Sequence, residues 1–290
     1  MTPDPASEIA EGLAGLVVGI PAARRASETA RLVERWGGTP LVGPTVEEVE
    51  VGDPEPVLQA TRAVIDGPAA WSVHLTGVGT KRWFALADGG GLLEDLKKAL
   101  AGARVVARGQ KASSALRSFG LSPDWVPDGE TSGEIAAWMD GKVADGEVVA
   151  LQRHGEPVPR LTVPLEKAGA RIIDVATYHW EIPADREPAS RLVSELISGA
   201  VHALVITSAP QVRNLFEIAG SLGVEPELRT ALDHHVFLAS VGSVASGALT
   251  ERGLSADLEA QPARMGALIR SLAAAREDVL RKSSGAGKAV

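Results

Sequence analysis

Three stretches of this 290-residue chain occur twice, and the order in which they recur limits the folds open to it. Val73–Phe84 (VHLTGVGTKRWF) lines up with Val205–Phe216 (VITSAPQVRNLF), so that Thr76 matches Ser208 at a separation of 132 residues. Ala107–Gly120 (ARGQKASSALRSFG) lines up with Ser240–Gly253 (SVGSVASGALTERG), and Gly109 matches Gly242 at 133. Each of these is followed by a short extended run, a proline (Pro127 or Pro262) and another helical stretch. A third block, Leu16–Gly38, resembles Val148–Ala170 at about the same separation. If the third block is c and the others a and b, the chain runs c, a, b, c, a, b. Self-similarity at a fixed period signals two copies of one structural unit.

The local pattern says what that unit is. Gly15–Ile20, Trp71–Thr76, Arg104–Ala107, Glu147–Leu151, Arg171–Val175, Ala203–Thr207 and His235–Val241 are compact apolar runs of the kind that form buried parallel strands. Arg25–Gly37, Gly79–Leu86, Lys111–Phe119, Pro159–Ala168, Gln211–Leu222, Ser243–Arg252 and Pro262–Leu280 have helical spacing. Alternation of the two predicts an α/β fold with two similar domains, each a parallel sheet flanked by helices. Thr45–Val51 and Asp174–Pro183 are extended and proline-flanked, one after each c block. Paired as a two-stranded ladder, they would insert one domain into the other. A discontinuous domain of residues 1–46 plus 182–290 would then hold an inserted domain of 52–175, with 45–51 and 174–183 as the connection. Tandem domains split near residue 145 are the rival arrangement.

Composition removes several classes of function. With no cysteine, disulfides, thiolate catalysis and cysteine-ligated metal sites are all excluded. A net charge of −8 argues against general nucleic-acid binding, which needs clustered Lys and Arg. Residues 1–12 carry no Lys or Arg, and the apolar stretch Leu13–Ala23 is too short to span a bilayer. A cytoplasmic, monomeric protein with no membrane partner is the expectation.

Motifs for chemistry are sparse. Gly77–Gly79 follows a strand but lacks the third glycine and the acidic partner of a dinucleotide fingerprint, so it reads as a tight strand-to-helix turn. The six histidines form no i, i+4 pair beside a carboxylate, so no metal site is expected. His74, inside a strand, and His234–His235, at a strand start, read as ordinary surface or partly buried residues. His154 and His179 sit in turns after strands, where ligands of open α/β sheets bind. Four strand-to-helix turns are rich in small and hydroxylated residues: Thr76–Thr80 with Gly77, Gly109–Ser113 with Lys111, Thr207–Ala209 with Ser208, and Gly242–Ser243. Each exposes unpaired N–H groups at the positive end of a helix, a seat for anions. The same residues are also good helix caps, and any one turn alone reads as a cap. Arg24, Arg25 and Arg153, in the c-block turns, could add bidentate bonds to a carboxylate.

Taken in order, these motifs resemble the uroporphyrinogen-III synthase family over residues 15–280. The resemblance lies in ITSAPQVRNLF, in the V-G-x-x-x-x-x-A-L run at Val241–Leu249 with Gly253 after it, and in the endings around Pro127 and Pro262. It also lies in LQRHGEPVPRL followed by V-x-x-Y at Val175–Tyr178. The resemblance implies two α/β domains, one inserted in the other, with a cleft between them. It implies a cofactor-free lyase that loses water from hydroxymethylbilane, inverts ring D and closes the macrocycle of uroporphyrinogen III. Tyr178 matches the family tyrosine and would assist departure of hydroxide. Thr76, Gly77, Gly109, Lys111, Arg153, His154, Ser208, Ala209, Gly242 and Ser243, with Arg24 or Arg25, would bind the tetrapyrrole. Three departures stand out: Val244-Ala245 replaces the Thr-Thr of many members, GIPAARR replaces a Thr-Arg strand end, and LTGVG replaces a plain hydroxyl turn. They keep open a non-catalytic alternative, a ligand-sensing module of a transcription regulator, for which Arg281–Val290 would be a linker.

Overall fold

The computed structural model describes residues 12–23, 25–67 and 69–285. In chain order its elements are β1 (Val17–Ile20), α1 (Ala26–Arg35), β2 (Thr39–Val42), β3 (Glu47–Glu50), α2 (Glu55–Asp66), β4 (Trp71–His74), α3 (Gly77–Gly89) and α4 (Leu93–Ala101). Then follow β5 (Arg104–Ala107), α5 (Gln110–Ser118), α6 (Ser132–Met139), β6 (Val148–Gln152), α7 (Pro159–Lys167), β7 (Arg171–Val175) and β8 (Tyr178–Glu181). The last part contains α8 (Glu187–Ile197), β9 (Ala203–Ile206), α9 (Ala209–Ser221), α10 (Glu225–His234), β10 (Phe237–Ser240), α11 (Ser243–Thr250), β11 (Leu258–Glu259), α12 (Met265–Ala274) and α13 (Arg276–Ser283).

Two parallel sheets result, and each joins blocks from both halves of the repeat. One has the order β11-β10-β9-β1-β2, the other β5-β4-β6-β7, and β3 with β8 makes an antiparallel ladder. The α/β class, the paired sheets and the ladder agree with the sequence pattern. Contacts divide the chain into Met1–Glu47 with Glu181–Val290, and Glu48–Trp180.

In the first unit the strands alternate faces. Val18, Ile20, Ala203, Val205, Phe237 and Ala239 pack under α1, α12 and α13, while Leu204, Ile206 and Leu238 pack against α8, α9, α10 and α11. This is the period-2 rule applied to strands buried on both sides. In the Glu48–Trp180 unit, Trp71, Val73, Val149 and Leu151 face α6 and α7, and Val105, Ala107, Ala150 and Ile173 face α2 to α5. On that second face β4 places Ser72 and His74, both fully buried.

Three sequence expectations change. His234 closes α10 and His235 caps it, rather than opening a strand. The Val236 N–H bonds Ala231 O, which keeps this stretch in the helix end, and a histidine there suits the negative pole. Pro262–Leu280 is not one helix, because Ala275 ends α12 and caps α13. Nor are Pro127 and Pro262 equivalent, since the separation of 133 holds without a gap through both blocks. Val105 N donates to Asp124 Oδ2 at 2.6 Å, and Leu238 N to Asp257 Oδ2 at 2.7 Å. Thr131 and Arg264 then cap α6 and α12, and Pro127 stands against Ala260.

Candidate functional site

The turn after β4 gathers a largely buried polar cluster in the Glu48–Trp180 unit. Thr76 is the extended N-cap of α3, and its Oγ1 accepts the Gly79 N–H at 3.1 Å. The same oxygen accepts the Tyr178 hydroxyl at 3.3 Å, and Gln152 Nε2 reaches it at 3.5 Å. Tyr178 is only 2% exposed, and the Arg82 guanidinium lies over its ring at 5.3 Å. Arg82 is held there by Glu48 and Glu50 of β3, at 2.6 and 2.8 Å.

Gln152, at the end of β6, completes the turn: its Oε1 accepts the Thr76 N–H at 3.1 Å. The sequence reading missed this residue, and the internal repeat explains both its role and the miss. In the other unit the capping glutamine is Gln211, on α9 itself, accepting from Thr207 N at 2.8 Å and Ser208 N at 3.3 Å. Gly79 stands at the position of Gln211. A Cβ there would come within 2.7 Å of both Gln152 Cδ and Thr76 Oγ1, so the glycine makes room for a glutamine arriving from another strand. The threonines behind the two turns remain equivalent. Thr177 Oγ1 donates to Gly79 O at 3.4 Å, and Thr45 Oγ1 to Gln211 O at 3.2 Å.

His74 lies beneath this turn, stacked on Trp83 at 5.6 Å, and is completely buried rather than partly buried or at the surface. Thr80 Oγ1 directs its hydrogen to Thr76 O at 2.8 Å, so it can accept from His74 Nδ1 at 3.1 Å. His74 Nε2 then accepts from Ser72 Oγ at 2.9 Å. Burial in this apolar surround lowers the imidazole pKa to about 3.

His154 lies flat on Trp180, ring centroids 5.0 Å apart, and Gly155 presses so close that a Cβ would meet the indole at 2.8 Å. Burial first, then the charges of Arg108 and Arg153, lower its pKa to about 4, so it is neutral at pH 7. Arg153 donates through Nε to the carboxylate of Asp174 at 2.8 Å and through a terminal nitrogen to His154 O at 3.1 Å. Arg108 is a second residue the sequence reading missed. Burial lowers its pKa, while Tyr178 and Glu130 offset only part of that cost. An arginine directly after a strand and before a Gly-capped helix was the available signal, since strand ends of open α/β sheets are where ligands bind.

The structure therefore brings Thr76, Gly77, Gly109, Lys111, Arg153, His154 and Tyr178 into one unit. Gly77 and Lys111 meet directly: a Cβ on Gly77 would lie 2.8 Å from the Lys111 carbonyl carbon. Arg25, Ser208, Ala209, Gly242 and Ser243 belong to the other unit. Arg25 is exposed at the N-cap of α1, with φ of 59° and an ion pair to Glu28 at 3.4 Å. Ser208 and Gly242 cap α9 and α11 as Thr76 and Gly109 cap α3 and α5. Arg24 and residues 286–290 of the expected linker lie outside the described residues. Among the described residues no group of three His, Cys, Asp or Glu could hold a metal ion, and no helix is long and apolar enough to cross a membrane. A larger groove, of about 970 Å³, opens at the N-terminal end of β10, where Lys282 pairs with Asp257 at 2.6 Å. It lies at the end of the sheet opposite the helix N-termini.

The uroporphyrinogen-III synthase HemD family model matches residues 27–270. The chain belongs to that family. It is 33% identical over 264 residues to the "Uncharacterized protein YjjA" of Bacillus subtilis (strain 168), covering 91% of this chain and 97% of the relative. Among solved structures it resembles a mutant uroporphyrinogen III synthase of the extremely thermophilic bacterium Thermus thermophilus, with a TM-score of 0.75 and 32% identity, over 92% of this chain and all of that one. The uroporphyrinogen-III synthetase of Helicobacter pylori 26695 has a TM-score of 0.50 over 90% of this chain and all of that one. At 14% identity this second likeness concerns the fold alone.

Proposed function

We propose that this HemD-family chain is a uroporphyrinogen-III synthase. It takes hydroxymethylbilane, releases water at ring A, inverts ring D and closes the macrocycle, without a cofactor, as a cytoplasmic monomer. The observation that carries the reading is the buried Tyr178 hydroxyl, which donates to Thr76 Oγ1 at the N-terminal mouth of α3. A phenol so placed acts as general acid on the departing hydroxide, which leaves as water with the phenolic proton. The phenolate left behind is stabilised by Arg108 and Arg82, and regains a proton when the new ring carbon loses one. Thr76, Gly77, Gly109 and Lys111, with Ser208, Ala209, Gly242 and Ser243, belong to helix mouths that offer N–H donors to the substrate's carboxylates. Arg153 and His154 flank the first set. Holding a flexible tetrapyrrole in one folded pose supplies several kcal/mol of orientation, which suits a site with few titratable groups.

A second reading has its own observation. Val244 is 65% exposed at the mouth of α11, where the resemblance leads one to expect a hydroxyl, and Ala245 follows it. On that reading the chain binds a tetrapyrrole-like ligand without turning it over, as a sensing module of a transcription regulator.

An isomer assay separates the two. Freshly made hydroxymethylbilane is incubated with the protein, and the oxidised products are resolved into type I and type III uroporphyrin. Type III above the spontaneous background supports the synthase; type I alone, with the protein folded, supports the sensing module. In the same assay Tyr178→Phe is expected to lower type III formation several-fold. Its stability should fall by only about 1 kcal/mol, the worth of one hydrogen bond. An unchanged rate would remove Tyr178 from the mechanism.

A further inference from the structure

The repeat supplies the same turn twice, but among the described residues only the first copy has a carboxylate accepting a backbone N–H of its helix mouth. At the separation of 133 residues, Gly109 stands against Gly242, Arg108 against Val241, Ser113 against Ser246 and Glu130 against Ala263. In the first copy the Glu130 carboxylate rests on Gly109, and its Oε1 accepts the Gln110 N–H at 3.0 Å. A Cβ on Gly109 would meet that carboxyl carbon at 2.5 Å, so the carboxylate lies directly against the glycine. In the second copy a Cβ on Gly242 would meet just the Ala263 methyl, at 3.3 Å.

Three features distinguish the first copy from a fixed brace. Glu130 is exposed and holds a left-handed φ of 53°, so water rehydrates its carboxylate on leaving and the backbone relaxes. Burial lowers the Arg108 pKa while the charge of Glu130 raises it, which puts guanidinium and carboxylate within electrostatic reach of each other. The Ser113 hydroxyl is buried and has no hydrogen-bond partner. Its counterpart Ser246 bonds Ser240 at 2.7 Å and also Glu259, but those positions are Ala107 and Val126 in the first copy. Ser113 stands one turn into α5, its N–H bonded to Gly109 O at 3.0 Å.

We infer that Glu130 is a built-in occupant of a carboxylate seat formed by the N-terminus of α5 with Arg108, displaced when a polycarboxylate ligand binds. The inference rests on the proposed function only for naming that ligand a tetrapyrrole; the seat itself recognises carboxylate. Substrate must therefore compete with the protein's own side chain for the N–H groups of this mouth, whereas at α11 the Glu259 carboxylate bonds the Ser246 hydroxyl.

Citrate is the probe, titrated calorimetrically into the full chain and its variants. Glu130→Ala gives the first copy the residue found in the second, and is expected to bind citrate about tenfold more tightly than the wild type, the scale of one charge-assisted hydrogen bond. Glu130→Gln keeps the size, loses the charge and should move affinity the same way. The gain should disappear when Arg108→Gln is added. Folded Glu130→Ala and Glu130→Gln proteins that bind citrate no more tightly than the wild type would overturn the inference. Tighter citrate binding in a protein that yields only type I uroporphyrin would sink the synthase reading and leave the seat standing. Type III formation by the wild type, with no gain in the variants, would do the reverse.

Discussion

Lowering the pH from about 8 to about 4 is expected to remove on the order of 3 kcal/mol of folding stability through His74 alone. The imidazole has a pKa of about 3 in the folded protein against 6.5 for the free side chain. Between those values the unfolded chain binds a proton that the native one refuses, so stability rises with pH across the window and is lost as pH falls through it. The cause is local. His74 is fully buried against Trp83 and Phe84, and its two nitrogens are already committed to Thr80 and Ser72. A cation there would find no carboxylate among these contacts to offset its desolvation. His154, at about 4, adds a smaller loss of the same sign. Urea unfolding of the wild type and His74→Gln at a series of pH values checks this. The variant should start lower at neutral pH, because it loses the stack on Trp83, and the two curves should converge toward pH 4. Parallel curves would show that His74 does not carry the acid limb.

Gly77→Ala is expected to cost about 1–3 kcal/mol and to lower whatever activity the site has, because the new methyl meets backbone rather than a side chain that can turn away. Its Cβ would fall within contact of the Lys111 carbonyl, with the carbon at 2.8 Å, at the place where the first turns of α3 and α5 touch. Relief requires the two helix mouths to part, carrying Thr76 and Gly109 with them. Gly247→Ala in α11 is the control, since a Cβ there meets nothing within 4 Å. That change should be neutral or stabilise by about 0.5–1 kcal/mol, as glycine is a poor interior helix residue. Chemical denaturation reads both variants. A Gly77→Ala protein as stable as the wild type would mean that α5 moves freely against α3.

Much of the architecture was legible because it is periodic. Alternating strand and helix patterns, and blocks recurring at 132 and 133 residues, follow from local chemistry that leaves its mark on neighbouring residues. The four capped turns belong with them, since Thr76, Gly109, Ser208 and Gly242 are the residue types that a strand-to-helix turn selects. What escaped has no local mark. Gln152 caps a helix belonging to another segment, and it can do so only because Gly79, 73 positions earlier, has no side chain. Arg108 and Glu130 look like ordinary surface charges until the fold half-buries one and lays the other over Gly109. His74 looks the same in a sequence whether its strand face meets water or Trp83.

The sequence by itself determined that this chain would build one α/β unit twice, with hydroxyl-rich helix mouths at the ends of its strands, because propensity, periodicity and capping act within a few residues. Only the tertiary structure decided which copies share a sheet, as when β1 joins β9 and β4 joins β6. It also decided which of two equivalent turns has a carboxylate on its backbone N–H and which histidine is kept neutral. Those outcomes depend on burial and on contacts between distant residues, energies that exist only after the chain has closed on itself.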